Sequence, residues 1–274
     1  MSVPATNLPV SVDVLSLIAA AEELARTGAS RPAENLFRRA LSISPAPSAL
    51  NAYGCFLWSL CRYPDAAAQF CVLLEEAEQA GDAEWAATAA NNLAAVCREW
   101  GEPRFAARAQ QYALRLELRC SHSGTTSGLS PTSLGNLAAE AIAAGEYGRA
   151  ERLLWQSLLG EWAAGNLAGE AADWGNLGIS AGLQGECGEA VVYFWRALRL
   201  HRRLRDRRGV GLDLLHLGQA LSGLGLCQAA GRVFLRAKEW LERAGLDTHV
   251  PIAVAGHAES LQHRRVAGLH PQRN

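Results

Sequence analysis

Small and apolar residues recur along this chain at spacings of three and four, the period of one helix face rather than of a strand. The pattern itself repeats. Aligning "NNLAAV" (Asn91–Val96), "GNLAAE" (Gly135–Glu140) and "GNLGIS" (Gly175–Ser180) brings Ala94, Ala138 and Gly178 into one slot. The same slot falls at Ala21, Gly54 and Gly218, and successive steps are 33, 40, 44, 40 and 40 residues. One more step of 40 reaches Ala258, so six units and a seventh half fit the chain.

Each unit keeps a fixed internal order. Seven residues past the slot stands a turn residue: Gly28, Cys61, Gly101, Gly145, Gly185 and Gly225. Five further on is an alanine: Ala33, Ala66, Ala106, Ala150, Ala190 and Ala230. Four later comes a large or long side chain: Phe37, Phe70, Gln110, Leu154, Phe194 and Phe234. Three beyond that is a mostly small residue: Ala40, Leu73, Ala113, Ser157, Ala197 and Ala237.

Every unit therefore reads as helix A, a tight turn, then helix B. Pro32, Pro64 and Pro103 stand near the start of helix B, where a missing N–H costs little. Ser130 and Pro131 form a helix start for the fourth helix A. Glycine inside a helix costs about 1 kcal/mol relative to alanine. Its recurrence at one phase points to a close helix crossing, with a large side chain of the partner helix filling the gap.

The expected fold is an all-α, right-handed superhelical solenoid. Its parts are an unstructured 1–13, six repeats over 14–248, a capping helix over 249–266 and an unstructured tail over 267–274. His263, Arg264 and Arg265 stand at the wet end of the capping helix. The polar, turn-rich Cys120–Ser133 accounts for the step of 44, and Pro45 in "SISP" closes a short first unit.

The order of small residue, glycine turn, alanine, phenylalanine and alanine resembles the tetratricopeptide repeat. The step of 40, the "NNLA" and "GNLG" openings and "RDRRG" between units are similar to the longer variety in kinesin light chains and LGN-type polarity scaffolds. The resemblance covers roughly Val14 to Leu261. It implies a non-catalytic adaptor or scaffold that holds a protein segment, peptide or partner helix in a concave groove.

Asn92, Asn136 and Asn176 share one phase, two residues before the slot. In the resembled architecture that phase faces the concave surface, where such asparagines contact the backbone of an extended peptide. An amide offers both a donor and an acceptor, so it pairs with a peptide group whatever its side chain. The alternative is that these asparagines bond to the neighbouring repeat and order the stack. His216 takes the place in the sixth unit and Ala52 in the second. Arg98 and Gln219 support the row, and Glu99, Glu140 and Trp58 share its face. Their signs are mixed, and a carboxylate clamp needs lysine, of which the chain has only Lys238.

Composition narrows the partner. With 26 basic and 27 acidic residues, no global field draws the chain to nucleic acid or anionic membranes. The run "RLHRRLRDRRG" (Arg199–Gly209) is the exception and gives a nucleic-acid alternative at 199–208. Without interleaved aromatics it reads rather as a solvated helix end. A further alternative is a regulatory sensor whose superhelix responds to a signalling peptide.

Catalytic signatures are missing: no nucleophile elbow, no H-E-x-x-H and no recognisable carboxylate pair. "WGNLGISAGLQGE" (Trp174–Glu186) lacks the spacing and the preceding strand of a dinucleotide fingerprint. No cofactor or metal is expected. The seven cysteines (Cys55, Cys61, Cys71, Cys97, Cys120, Cys187 and Cys227) form no C-x-x-C pair and read as thiols of a reducing compartment. No signal peptide or membrane span is evident, so a cytoplasmic location is expected, while the sequence sets no oligomeric state.

Overall fold

The computed structural model describes residues 13–122 and 128–269. The described residues form thirteen helices, of which twelve make six hairpins. The first three hairpins are α1 (Val14–Thr27) with α2 (Ser30–Ile43), α3 (Pro47–Ser59) with α4 (Tyr63–Ala80), and α5 (Ala83–Trp100) with α6 (Pro103–His122). The next three are α7 (Pro131–Ala143) with α8 (Tyr147–Ala164), α9 (Leu167–Leu183) with α10 (Cys187–Leu204), and α11 (Arg207–Gly223) with α12 (Cys227–Ala244). The last helix, α13 (Val250–Leu269), packs on α12.

The turns form as the spacing requires. Gly28, Gly101, Gly145, Gly185 and Gly225 all lie in the left-handed region, with φ between 72° and 86°. Cys61 holds the same conformation at φ 57° without the freedom of glycine.

Close helix crossings explain the recurring slot. A methyl group added at Gly54 would lie 2.6 Å from the Phe70 ring, and one at Gly178 or Gly218 would lie 2.7 Å from Phe194 or Phe234. Ala21, Ala94 and Ala138 fill the slot elsewhere and are buried. The seventh unit departs from this. Ala258 is exposed, and Gly256 is the residue that meets Phe234.

Odd-numbered helices touch one another along the stack (α1 with α3, α3 with α5, and on to α11 with α13). No comparable contact joins the even-numbered helices. The helices A thus form an inner layer and the helices B an outer, splayed one, as in a curved solenoid.

Two boundaries differ from expectation. Helix α6 reaches His122, so the loop is shorter than Cys120–Ser133, and α13 continues to Leu269 rather than 266. Residues 1–12, 123–127 and 270–274, and the side chains of His263, Arg264 and Arg265, lie outside the described part. Asp13, placed in the unstructured N-terminus by the sequence, accepts a hydrogen bond from the Leu15 amide and caps α1.

Candidate functional site

The sequence-derived row divides into two groups on the inner layer. In the first, the Asn92 amide donates to Asn51 Oδ1 at 2.8 Å. Asn136 is buried, donates to the Asn91 carbonyl at 3.3 Å and accepts from Arg98 at 3.2 Å. These amides are engaged between neighbouring repeats, the stack-ordering alternative. Burial lowers the Arg98 pKa, against the opposing charges of Glu140 and Glu99.

In the second group, His216 bonds to Gln219 at 3.0 Å and stacks on Phe194 with ring centroids 5.5 Å apart. Both line a cavity of about 270 Å³ with Gly178 and Leu183. Burial lowers the His216 pKa, which keeps the ring neutral at pH 7 even though the Gln219 bond favours charge. The side chain of Asn176, half-buried on α9, makes no hydrogen bond among the described residues.

The inner surface is also crossed by the chain itself. Arg208 of α11 ion-pairs with Glu99 of α5 and sits 5.9 Å from the Trp58 ring of α3. The Trp58 indole donates to the same Glu99 carboxylate at 3.0 Å. Nearby, Arg207 donates to the Thr27 carbonyl at the end of α1. The curved stack has returned far enough for its sixth unit to touch its first three. The arginine run is a solvated helix end in its first part, with Arg202, Arg203 and Arg205 exposed at the end of α10, while Arg207 and Arg208 open α11 against the opposite wall.

The outer layer holds a feature the sequence reading passed over. Because α8 and α10 splay apart, a cleft of about 730 Å³ opens between them, floored by Trp174 of α9. Trp162 and Trp195 form its walls and are 46% and 50% exposed. Trp155 meets Trp174 edge-on, with ring centroids 5.5 Å apart. Arg196 lies 4.3 Å above the Trp174 ring, and Arg199 and Arg202 continue along the same wall. None of these three arginines has a carboxylate partner among the described residues. Glu170, the one acidic residue of the lining, accepts from the Trp174 indole at 3.2 Å. The signal was in the sequence: Trp155 and Trp195 are one repeat step of 40 apart.

A buried polar core between units three and four was also missed. Gln110 stands where every other unit has Phe or Leu, and it donates to Asn91 Oδ1 at 3.2 Å. The Asn91 amide donates to Glu117, and Ser133 donates to both. Each member has a partner, although the buried Gln110 Oε1 is left without one. This cluster is part of the stack rather than of a surface. Among the described residues no group of His, Cys, Asp and Glu is placed to hold a metal, and no helix is long and apolar enough to cross a membrane.

This architecture is an all-α solenoid of paired helix-turn-helix units of the tetratricopeptide kind. The chain is similar in fold to the signal transduction ATPase with numerous domains from Pyrococcus horikoshii, which carries a tetratricopeptide repeat sensor. That match has a TM-score of 0.57 at 14% identity and covers 91% of this chain but 38% of the other. Looser matches are BtubC (BKLC) from P. vanneervenii and the TPR2AB-domain:pHSP90-complex of yeast Sti1. The first has a TM-score of 0.45 at 18% identity and covers 96% of each chain. The second has a TM-score of 0.40 at 9% identity and covers 90% of this chain and 98% of the other. No family model matches the chain, and no curated protein matches it.

Proposed function

We propose that this chain is a non-catalytic scaffold that binds an acidic segment of a partner protein, with the tryptophan cleft between α8 and α10 as its principal site. The observation that carries the reading is the pairing of two exposed indoles, Trp162 and Trp195, above the buried Trp174, with Arg196, Arg199 and Arg202, none of them neutralised by a carboxylate. Indole faces supply apolar area, and arginine forks supply bidentate recognition of carboxylates, the combination typical of interface anchors. A segment with a leucine or aromatic anchor flanked by Asp or Glu fits both.

The test is fluorescence polarisation with labelled synthetic peptides of that design. Acidic peptides should bind saturably, and Arg199→Glu or Trp195→Ala should weaken binding at least tenfold. Equal binding of a basic scrambled peptide, or indifference to both substitutions, refutes the cleft.

A second reading is an extended peptide along the concave row, in the manner of kinesin-light-chain-type repeats. Asn176 favours it, since its amide is free to pair with a peptide group. This reading requires the Arg208–Glu99 contact to yield, so Glu99→Gln should tighten such binding and Asn176→Ala should weaken it. A superhelix that opens in this way would also act as a sensor.

A further inference from the structure

Where the sixth unit touches the first, a further, open cavity of about 330 Å³ is lined by four exposed arginines, three from the α10–α11 turn and one from α1. Arg26 comes from the last turn of α1, Arg202 from the last turn of α10, Arg205 from the cap that follows, and Arg207 from the first residue of α11. Thr27, Val210 and Trp240 complete the wall.

The charge is poorly neutralised. Arg26 pairs with Glu23, and Arg207 donates to the Thr27 carbonyl. Arg202 and Arg205 have no partner among the described residues. The neighbouring Asp206 is turned away, toward His201 and Gly209.

The backbone adds an independent observation. Arg205 is in the left-handed region at φ 57°. The positions that end α4, α8 and α12 in the same way are glycines: Gly81 at φ 71°, Gly165 at φ 65° and Gly245 at φ 72°. Glycine adopts this conformation freely and an L-residue does not. At this turn, as at Cys61, the chain keeps a non-glycine residue in the left-handed region, and here that residue adds a fourth guanidinium to a cationic cavity, an arrangement that suits function better than stability.

We propose that the cavity binds a small molecule carrying a pyrophosphate group. A phosphate monoester carries about two negative charges, fewer than four guanidinium groups balance, whereas two linked phosphates approach the match. Arginine forks meet phosphate oxygens in bidentate geometry. The volume falls in the range of small-molecule sites rather than of an extended strand of nucleic acid. Val210 and Trp240 flank the remainder of the ligand. Bound there, the ligand bridges the end of α1 to the α10–α11 turn and holds the solenoid closed.

The test is calorimetric titration of the full chain with inorganic pyrophosphate, orthophosphate and sulfate at matched ionic strength. Pyrophosphate should bind one to one, at least tenfold tighter than either single anion. Arg205→Gly is the informative variant, because it removes a guanidinium while relaxing the turn. It should raise the melting temperature without ligand and weaken pyrophosphate binding tenfold or more.

Arg26→Gln should also lose affinity, whereas Arg243→Gln, beside Trp240 but outside the cavity, should not. Parallel titrations with adenosine diphosphate and geranyl diphosphate identify the source. Tighter binding of the first assigns a base stacked on Trp240, and of the second an apolar tail. Equal weak binding of all three inorganic anions, or pyrophosphate affinity unchanged in Arg205→Gly, overturns the proposal. So does tight binding of single-stranded RNA without saturable pyrophosphate binding. None of these variants touches the tryptophan walls, so failure here leaves the peptide reading standing.

Discussion

At two successive joints of the stack, three equivalent positions 40 residues apart differ in one residue and, through it, in their chemistry. Between units four and five they are Glu161, Gly169 and Asp173; between units five and six they are His201, Gly209 and Asp213. Both aspartates are buried, at 3% and 5% exposure. At the later joint His201 Nδ1 lies 2.7 Å from Asp213 Oδ2, and Nε2 lies 3.6 Å from Asp206. Burial works against the charged imidazole, but the Asp213 bond and the two carboxylate charges raise its pKa overall.

At the earlier joint no cation faces the pair. Burial pushes Asp173 up to about 7, with Glu161 adding to the push and Ser157 opposing it. The Ser157 hydroxyl also reaches the Pro131 carbonyl at 2.9 Å, so its single proton is divided between that carbonyl and Asp173. One carboxylate oxygen of Asp173 has no partner. The same fold position is thus a buried acid without a cation at one joint and an ion pair at the next. Packing geometry fixes where a polar pair sits but leaves its protonation to the partner residue.

Breaking the ion pair should give the largest effect. His201→Ala leaves Asp213 buried without its cation, and removing one partner of a buried pair typically costs about 3 to 5 kcal/mol. Urea denaturation at pH 6 measures this. The double variant His201→Ala with Asp213→Ala should recover much of the loss. A double variant as unstable as the single would show that the joint relies on packing and not on the pair.

Asp173→Asn should act in the opposite direction. A carboxyl held near 7 rather than its ordinary 3.8 costs the folded state on the order of 4 kcal/mol once ionised. The folded chain keeps a proton that the unfolded chain loses, so this stability is complete below about pH 4 and falls as pH rises through 7. His201 follows the same sign in a later window: its contribution is present below 6.5 and is lost as pH rises through the elevated folded value. Melting curves at pH 4 and pH 8 should therefore show Asp173→Asn gaining on the native chain only at pH 8. An equal gain at both would mean that burial of Asp173 carries no penalty of charge.

The fold was legible because its cause is periodic. Gly54, Gly178 and Gly218 announce close crossings by recurring in phase with Phe70, Phe194 and Phe234, and the rings lie where that phase requires. The candidate surfaces were less legible. Asn136 and Asn176 share a phase, yet one is buried in bonds to Arg98 and Asn91 while the other has a free amide. Phase sets a residue's direction and says nothing about which neighbours reach it. The Arg208–Glu99 contact joins residues 109 apart through the closure of the whole stack, and no local spacing encodes it. The tryptophan cleft was accessible in principle through Trp155 and Trp195, but only once helices B are known to splay.

The glycines at the two joints sharpen the comparison further. A methyl group at Gly209 would fall 2.5 Å from the His201 ring and from Asp206. A ring locked by two carboxylates cannot retreat, so Gly209→Ala should cost about 1 to 3 kcal/mol, the usual range for overpacking. At Gly169 the obstruction is the end of the flexible Glu161 side chain, with no cation to hold it. Gly169→Ala should stay within about 0.5 kcal/mol of neutral, since alanine's helix propensity offsets the displacement. Paired denaturation curves decide it, and equal losses would mean that Glu161 is as firmly held as His201.

Gly182 provides the baseline for both, and the smallest effect. It lies in α9, is exposed, and has only the Ala190 methyl within reach of an added Cβ, at 3.9 Å. With ordinary contact and helical backbone, Gly182→Ala should stabilise by about 0.5 to 1 kcal/mol through helix propensity. If Gly182→Ala destabilises instead, the cost at Gly209 is no longer attributable to His201, and the contrast between the two joints must be sought in the backbone.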